Sequence, residues 1–171
     1  RNLKDFFCKI DILILAVSDT KDVKGILTGR NGLVKNAIKP SIVIDMSTIC
    51  PIETIKLSKL LKKDNISMID APVSGGEIGA INGSLSIMIG GEEKIVKKVM
   101  PILKILGDKI TYIGSSGSGQ VAKACNQIIV AQTLNAVSEA FVIADKFNVD
   151  KANIRSALLG GFANSKVLDT H

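Results

Sequence analysis

Lys123, Asn126 and Gln127 fall at spacings i, i+3 and i+4, so on a helix one ammonium and two amides share a side. An amine held there can give a proton to an oxygen gaining negative charge, or take one when neutral. Ala122, Ala124 and Cys125 are small or apolar, which leaves room for a ligand. A solvated helix face would carry the same residues and do no chemistry. Beyond them, Ile128, Ile129, Val130, Ala131, Leu134 and Ala136 make the pattern apolar nearly all round. That predicts a buried helix, in which a lysine is costly unless it has a task.

Three further groups sit where strands are expected to end. Asp70-Ala71-Pro72-Val73-Ser74-Gly75-Gly76 follows an apolar strand directly. Adjacent glycines leave backbone N–H groups uncovered, and with the Ser74 hydroxyl they can hold a carboxylate or phosphate. A sharp glycine turn explains the same residues. Asp45-Met46-Ser47-Thr48 runs from a strand into a helix with Pro51 in its first turn. Its hydroxyls could meet a ribose or phosphate, or one could be an ordinary N-cap. Ala16-Val17-Ser18-Asp19 closes another strand and is too generic to speak for itself.

The elements that must position these groups are legible as apolar runs. Strands are expected at Ile12 to Val17, Ser41 to Asp45, Ile66 to Asp70, Leu85 to Ile89 and Ile110 to Ile113. Helices are expected through Val23 and Leu27, from a start at Ser47-Thr48 with Pro51 in the first turn to a stop at Lys62-Lys63-Asp64-Asn65, from Glu92 to Leu106, from Gln120 to Phe147 and from Lys151 to Leu159. The second helix carries Ile52, Ile55 and Leu60 as its apolar positions. Strand and helix alternate up to the glycine- and serine-rich Gly114 to Gly119, and only helices follow. This is an α/β fold, a partial Rossmann-type parallel sheet followed by a long helix that opens an all-α domain. The boundary falls between residues 1–115 and 116–171.

Bulk composition narrows the classes. The 171 residues include 25 isoleucines, suited to strands covered on both faces. Cys8, Cys50 and Cys125 are odd in number and far apart, which supports neither a disulfide framework nor a metal site. The only histidine is His171, which leaves little room for His-based triads or His-rich metal sites. The net charge of +6 comes from scattered lysines without aromatic interleaving, so no nucleic-acid partner is expected. We expect no apolar run long enough for a membrane span and no signal peptide at residues 1–5, hence a soluble cytoplasmic chain.

Taken in order, these segments resemble the β-hydroxyacid dehydrogenase family. The stretches that carry the likeness are Asp45-Met46-Ser47-Thr48, Asp70 to Gly76, Gly83-Ser84-Leu85-Ser86-Ile87-Met88-Ile89-Gly90-Gly91, and Gly117-Ser118-Gly119-Gln120 through Lys123-Ala124-Cys125-Asn126-Gln127. The likeness runs from about residue 10 to the end. Gly76 to Ala80 and Gly160 to Asp169 look most like the 2-hydroxy-3-oxopropionate reductase branch, with the 3-hydroxyisobutyrate dehydrogenase branch second. The decarboxylating 6-phosphogluconate branch is disfavoured, since it has His where this chain has Asn126.

The resemblance implies hydride transfer between NAD or NADP and a short β-hydroxy or 3-oxo acid. Lys123 would be the catalytic acid/base. Ser74, Gly75 and Gly76 would bind the substrate carboxylate, Asn126 would orient the substrate, and Gln127 stands where many relatives have Asn. Val17, Ser18, Asp19 and Thr48 would touch the nicotinamide cofactor, although Ser18-Asp19 departs from the family's usual turn. No glycine fingerprint of the dinucleotide type follows a strand here. The pattern therefore reads as incomplete at both ends, and a non-catalytic scaffold form is the alternative. Exposed apolar faces on the last helices predict a homo-oligomer.

Overall fold

The computed structural model describes residues 6–170; His171 and the stretch read for a signal peptide lie outside the described residues. The chain divides into two compact units, Arg1–Lys123 and Ala124–His171.

The first unit is built on β1 (Ile12–Leu15), β2 (Ile42–Asp45), β3 (Ser67–Asp70), β4 (Val73–Ser74), β5 (Ser86–Gly90) and β6 (Lys109–Gly114). Helices α1 (Thr20–Thr28), α2 (Pro51–Lys63), α3 (Gly76–Ile81) and α4 (Glu93–Leu106) connect them. β1, β2 and β3 pair in parallel, as their helical crossovers require. β5 instead runs antiparallel to β3 and β4, and β6 lies parallel to β5. The sheet is thus mixed rather than wholly parallel. Residues 71–85 hold a two-residue strand and a six-residue helix, not the full crossover that would return the chain in parallel, so it turns back along its own strand.

Strand alternation splits the core into two layers. On β2, Val43 faces a cluster with Leu13, Leu15, Val23, Leu27, Leu57 and Leu61. Its neighbours Ile42 and Ile44 face another with Ile69, Ile87, Ile89, Val96, Val99 and Leu103. Every residue of β2 is buried, which is why its sequence reads as a continuous apolar run. α2 departs from the expected pattern, because its buried positions are Thr54, Leu57 and Leu61 while Ile52, Ile55 and Leu60 are exposed. Thr54 is tolerated inside because its hydroxyl donates to the Cys50 carbonyl one turn back. Lys24 of α1 and Lys56 both reach Glu53, tying the first two helices together at the surface.

The long helix α5 (Ser118–Lys146) starts in the first unit, and α6 (Lys151–Leu159) and α7 (Lys166–Thr170) follow in the second. α6 is capped by Asp150, which accepts from Ala152 N–H at 2.7 Å. Arg155 on α6 donates to the Leu168 carbonyl and the Asp169 carboxylate, holding α7.

Two expectations about α5 are corrected. It was expected to be buried, yet Ile128, Ile129, Val142 and Ile143 are all more than half exposed. Within the second unit, α6 and α7 cover only one strip of it, leaving a cavity of about 210 Å³ lined by residues such as Ala140, Phe141, Leu158 and Leu168. It also is long and apolar enough to cross a bilayer by length and composition, contrary to the sequence reading. Gln127, Gln132 and Asn135 interrupt the apolar run, but between Lys123 and Glu139 the helix carries no charge.

Candidate active site

β1, β2 and β3 end level with one another, because Leu15 pairs with Asp45 and Asp45 with Asp70. Their outgoing loops therefore leave one edge side by side, the edge at which open α/β sheets collect ligands.

The β1 and β2 loops are joined. Val17 N–H donates to Ser47 Oγ at 3.0 Å, and Cys50 N–H donates to Thr20 Oγ1 at 3.2 Å. Ser47 is buried and its own N–H donates to Asp45 Oδ1 at 3.0 Å. Its hydroxyl is thus spent inside the protein. The helix start expected at Ser47-Thr48 lies slightly later: Cys50 is the N-cap of α2 and makes no side-chain cap bond. Thr48 stays exposed, and so does Ser18. Asp19 caps α1 by accepting from Thr20 N–H at 2.6 Å.

The third loop continues into β4, where Ser74 is half-buried and pairs with Ser86. Gly75 and Gly76 have φ of 135° and 62°, both in the region that disfavours any side chain. They are exposed and open the short helix α3.

Two residues that carry no role of their own in the sequence motifs organise this edge. Asp70, fully buried, accepts from Gly117 N–H at 2.7 Å and from Gln120 N–H at 3.0 Å, so one carboxylate holds the first turn of α5. Burial pushes its carboxyl above the usual range, against the pull of those N–H donors. Gln120 is 1% exposed. Its Oε1 accepts from Ile49 N–H at 3.1 Å and its Nε2 donates to the Ser47 carbonyl at 2.7 Å. Asp45 is also fully buried, and its Oδ2 has no partner. Burial raises its carboxyl to about 6; the bonds from Ser47 oppose that rise and the neighbouring charge of Asp70 adds to it. The available signal was an acid ending each of two apolar strands, a position where a carboxylate needs a stated partner.

Lys123 sits on α5 one turn past Gln120 and is half-buried. Desolvation holds its amine below the ordinary lysine range. Asn126 and Gln127 belong to the second unit, where Asn126 Nδ2 donates to Gln127 Oε1 at 2.9 Å. The structure therefore joins the β1 and β2 loops to each other and to the start of α5. Among the described residues no hydrogen bond links Lys123 to the Ser74–Gly76 turn.

Residues 1–114 match the family described as the NAD binding domain of 6-phosphogluconate dehydrogenase. Residues 117–171 match the one described as the NAD-binding of NADP-dependent 3-hydroxyisobutyrate dehydrogenase. The chain belongs to the NAD(P)-dependent β-hydroxyacid dehydrogenase family. Among other members, it is 46% identical to 2-hydroxy-3-oxopropionate reductase of Escherichia coli K12 over 94% of its own length and 55% of that protein's. It is 35% identical to a probable mitochondrial 3-hydroxyisobutyrate dehydrogenase-like protein of Arabidopsis thaliana, over 94% of this chain and 48% of that one. The solved Mycobacterium tuberculosis 3-hydroxyisobutyrate dehydrogenase with L-serine superposes with a TM-score of 0.86 at 30% identity, over 98% of this chain and 56% of that one. This β-hydroxyacid dehydrogenase chain thus spans about half the length of the curated relatives it matches.

Proposed function

We propose that the chain carries the chemical half of a reductase that moves a hydride between NAD(P) and a short β-hydroxy or 3-oxo acid, with 2-hydroxy-3-oxopropionate as its substrate. The observation that carries this reading is a half-buried amine of lowered basicity, Lys123, one turn from the bonds that fasten its helix to the strand-end loops. The 46% identity to the E. coli reductase supports the substrate. Residues 1–115 are the cofactor side and residues 116–171 the start of the helical domain.

When bound, the nicotinamide cofactor supplies the hydride to the carbonyl carbon. The exposed hydroxyls of Ser18 and Thr48 are donors suited to its ribosyl end, with Val17 and Asp19 lining the same turn. Ser74 and the open N–H groups of Gly75 and Gly76 receive the substrate carboxylate. Asn126 orients the substrate, with Gln127 beside it. As the C=O π bond breaks, the ammonium of Lys123 gives its proton to the oxygen, leaving a neutral amine and an alcohol. In the oxidative direction the neutral amine takes the hydroxyl proton back.

A second reading, 3-hydroxyisobutyrate as substrate, is favoured by the family matched over residues 117–171. Turnover followed by NAD(P)H absorbance with 2-hydroxy-3-oxopropionate and, in reverse, with 3-hydroxyisobutyrate separates the two. Lys123→Ala is expected to lower turnover by about 10²–10⁴-fold while leaving cofactor affinity intact. Undiminished turnover would remove Lys123 from the mechanism, and no NAD(P)H binding by the chain would favour a scaffold role.

The exposed Ile128, Ile129, Val142, Ile143 and Phe147 support self-association. Light scattering is expected to give a mass above 18.1 kDa, and a clean monomer would count against it. Cys50 and Cys125 are exposed free thiols, suited to a reducing compartment such as the cytoplasm.

A further inference from the structure

The amide of Gln120 holds the two peptide groups that flank Thr48. It accepts from Ile49 N–H on one side and donates to the Ser47 carbonyl on the other. Thr48 is one of the residues proposed to meet the cofactor, and Lys123 is one helical turn from Gln120 on the same face of α5. The backbone under Gln120 is itself fixed, because its N–H and that of Gly117 both end on the carboxylate of Asp70. We infer that Gln120 is a positioning residue that fixes the distance between the Thr48 loop and Lys123, so that cofactor and proton donor keep one geometry. This rests on the roles proposed for Thr48 and Lys123.

The chemistry of the contact is restrictive. The site demands one acceptor and one donor at the end of a four-bond stem, both buried. A glutamine supplies both; an ionised glutamate supplies only acceptors, and a methionine of the same length supplies no strong donor. Either change leaves the Ser47 carbonyl without its partner, and methionine also orphans the Ile49 N–H. The loop must then move to find water, carrying Thr48 with it.

The test compares Gln120→Met and Gln120→Glu with the unaltered chain, and with Leu103→Ala as a core variant that lowers stability away from this edge. A displacement on the order of 1 Å at a positioning contact is expected to lower kcat by about 10²-fold, with KM for the acid changed far less. Gln120→Glu should recover toward the unaltered chain as pH falls and its acid becomes neutral, since the protonated form again offers one donor and one acceptor. Leu103→Ala should show neither the split nor the recovery. A kcat for Gln120→Met equal to that of the unaltered chain, or lowered only as in Leu103→Ala, overturns the inference.

If the unaltered chain turns over neither acid, the proposed reaction fails but the inference is still read. Acylation of Lys123 by acetic anhydride, followed by mass spectrometry, should change by about threefold or more in Gln120→Met while surface lysines keep their rates. An unchanged Lys123 rate overturns it.

Discussion

A side chain at Gly90 would strike Asp70, since an ideal Cβ there lies 2.6 and 2.7 Å from the two carboxylate oxygens. The same Cβ would lie 2.8 Å from Gly119 N, so the glycine leaves room for the carboxylate to reach the start of α5. Gly90→Ala is expected to lower stability by roughly 1–3 kcal/mol through overpacking. By thermal unfolding that is about 2–4 °C per kcal/mol for a chain of this size. A Gly90→Ala variant with an unshifted Tm would mean that Asp70 moves aside freely and does not anchor the helix.

The sheet strands were legible as short apolar runs: Ile42 to Ile44 is β-branched and buried throughout, while Ile12 to Leu15 stays apolar although Ile14 is 42% exposed. The site motifs were legible because hydroxyls, glycines and a lysine follow those runs directly. Gln120 was not, since a single amide in a helix has no spacing signature; its meaning comes from contacts 71 and 73 residues away in the chain. Asp70 was read as part of a loop motif for a similar reason. The exposure of Ile128 and Ile129 escaped the periodicity argument, because an apolar helix is buried only where something in its own unit covers it. β4 and α3 escaped because two residues and six are too few to set up a period.

Asp45 makes stability depend on pH in a defined direction. Burial raises this acid from 3.8 to about 6, so between those values the native state holds a proton that the unfolded chain has released. Stability therefore falls as pH rises through about 4 to 6, and the full penalty stands at neutral pH. The shift of about two pKa units corresponds to roughly 3 kcal/mol, an upper bound for what Asp45→Asn relieves, since the new amide inherits the unpaired position. The Tm of Asp45→Asn minus that of the unaltered chain should grow more positive between pH 4 and 7. A difference that is flat across this range would show that Asp45 is ionised in the native state at pH 4.

α4 offers an internal comparison of burial. Leu103 is fully buried and Ile105, two residues on, is 75% exposed. Leu103→Ala is expected to cost roughly 2–5 kcal/mol in denaturant unfolding, and Ile105→Ala within about 0.5. Equal losses would mean that α4 docks on the sheet with a different face from the one described.

Lys123 should leave its mark on the pH dependence of turnover. Desolvation disfavours the ammonium, so the amine loses its proton at a lower pH than a free lysine does. Oxidation of the hydroxy acid needs the neutral amine, and its rate should rise with pH and level off below the ordinary lysine range. Reduction of the oxo acid needs the ammonium and should fall through the same interval. The two limbs must share one apparent pKa if a single group serves both directions. Profiles of kcat/KM against pH in each direction check this, and limbs separated by more than about a unit would assign the two proton transfers to different groups.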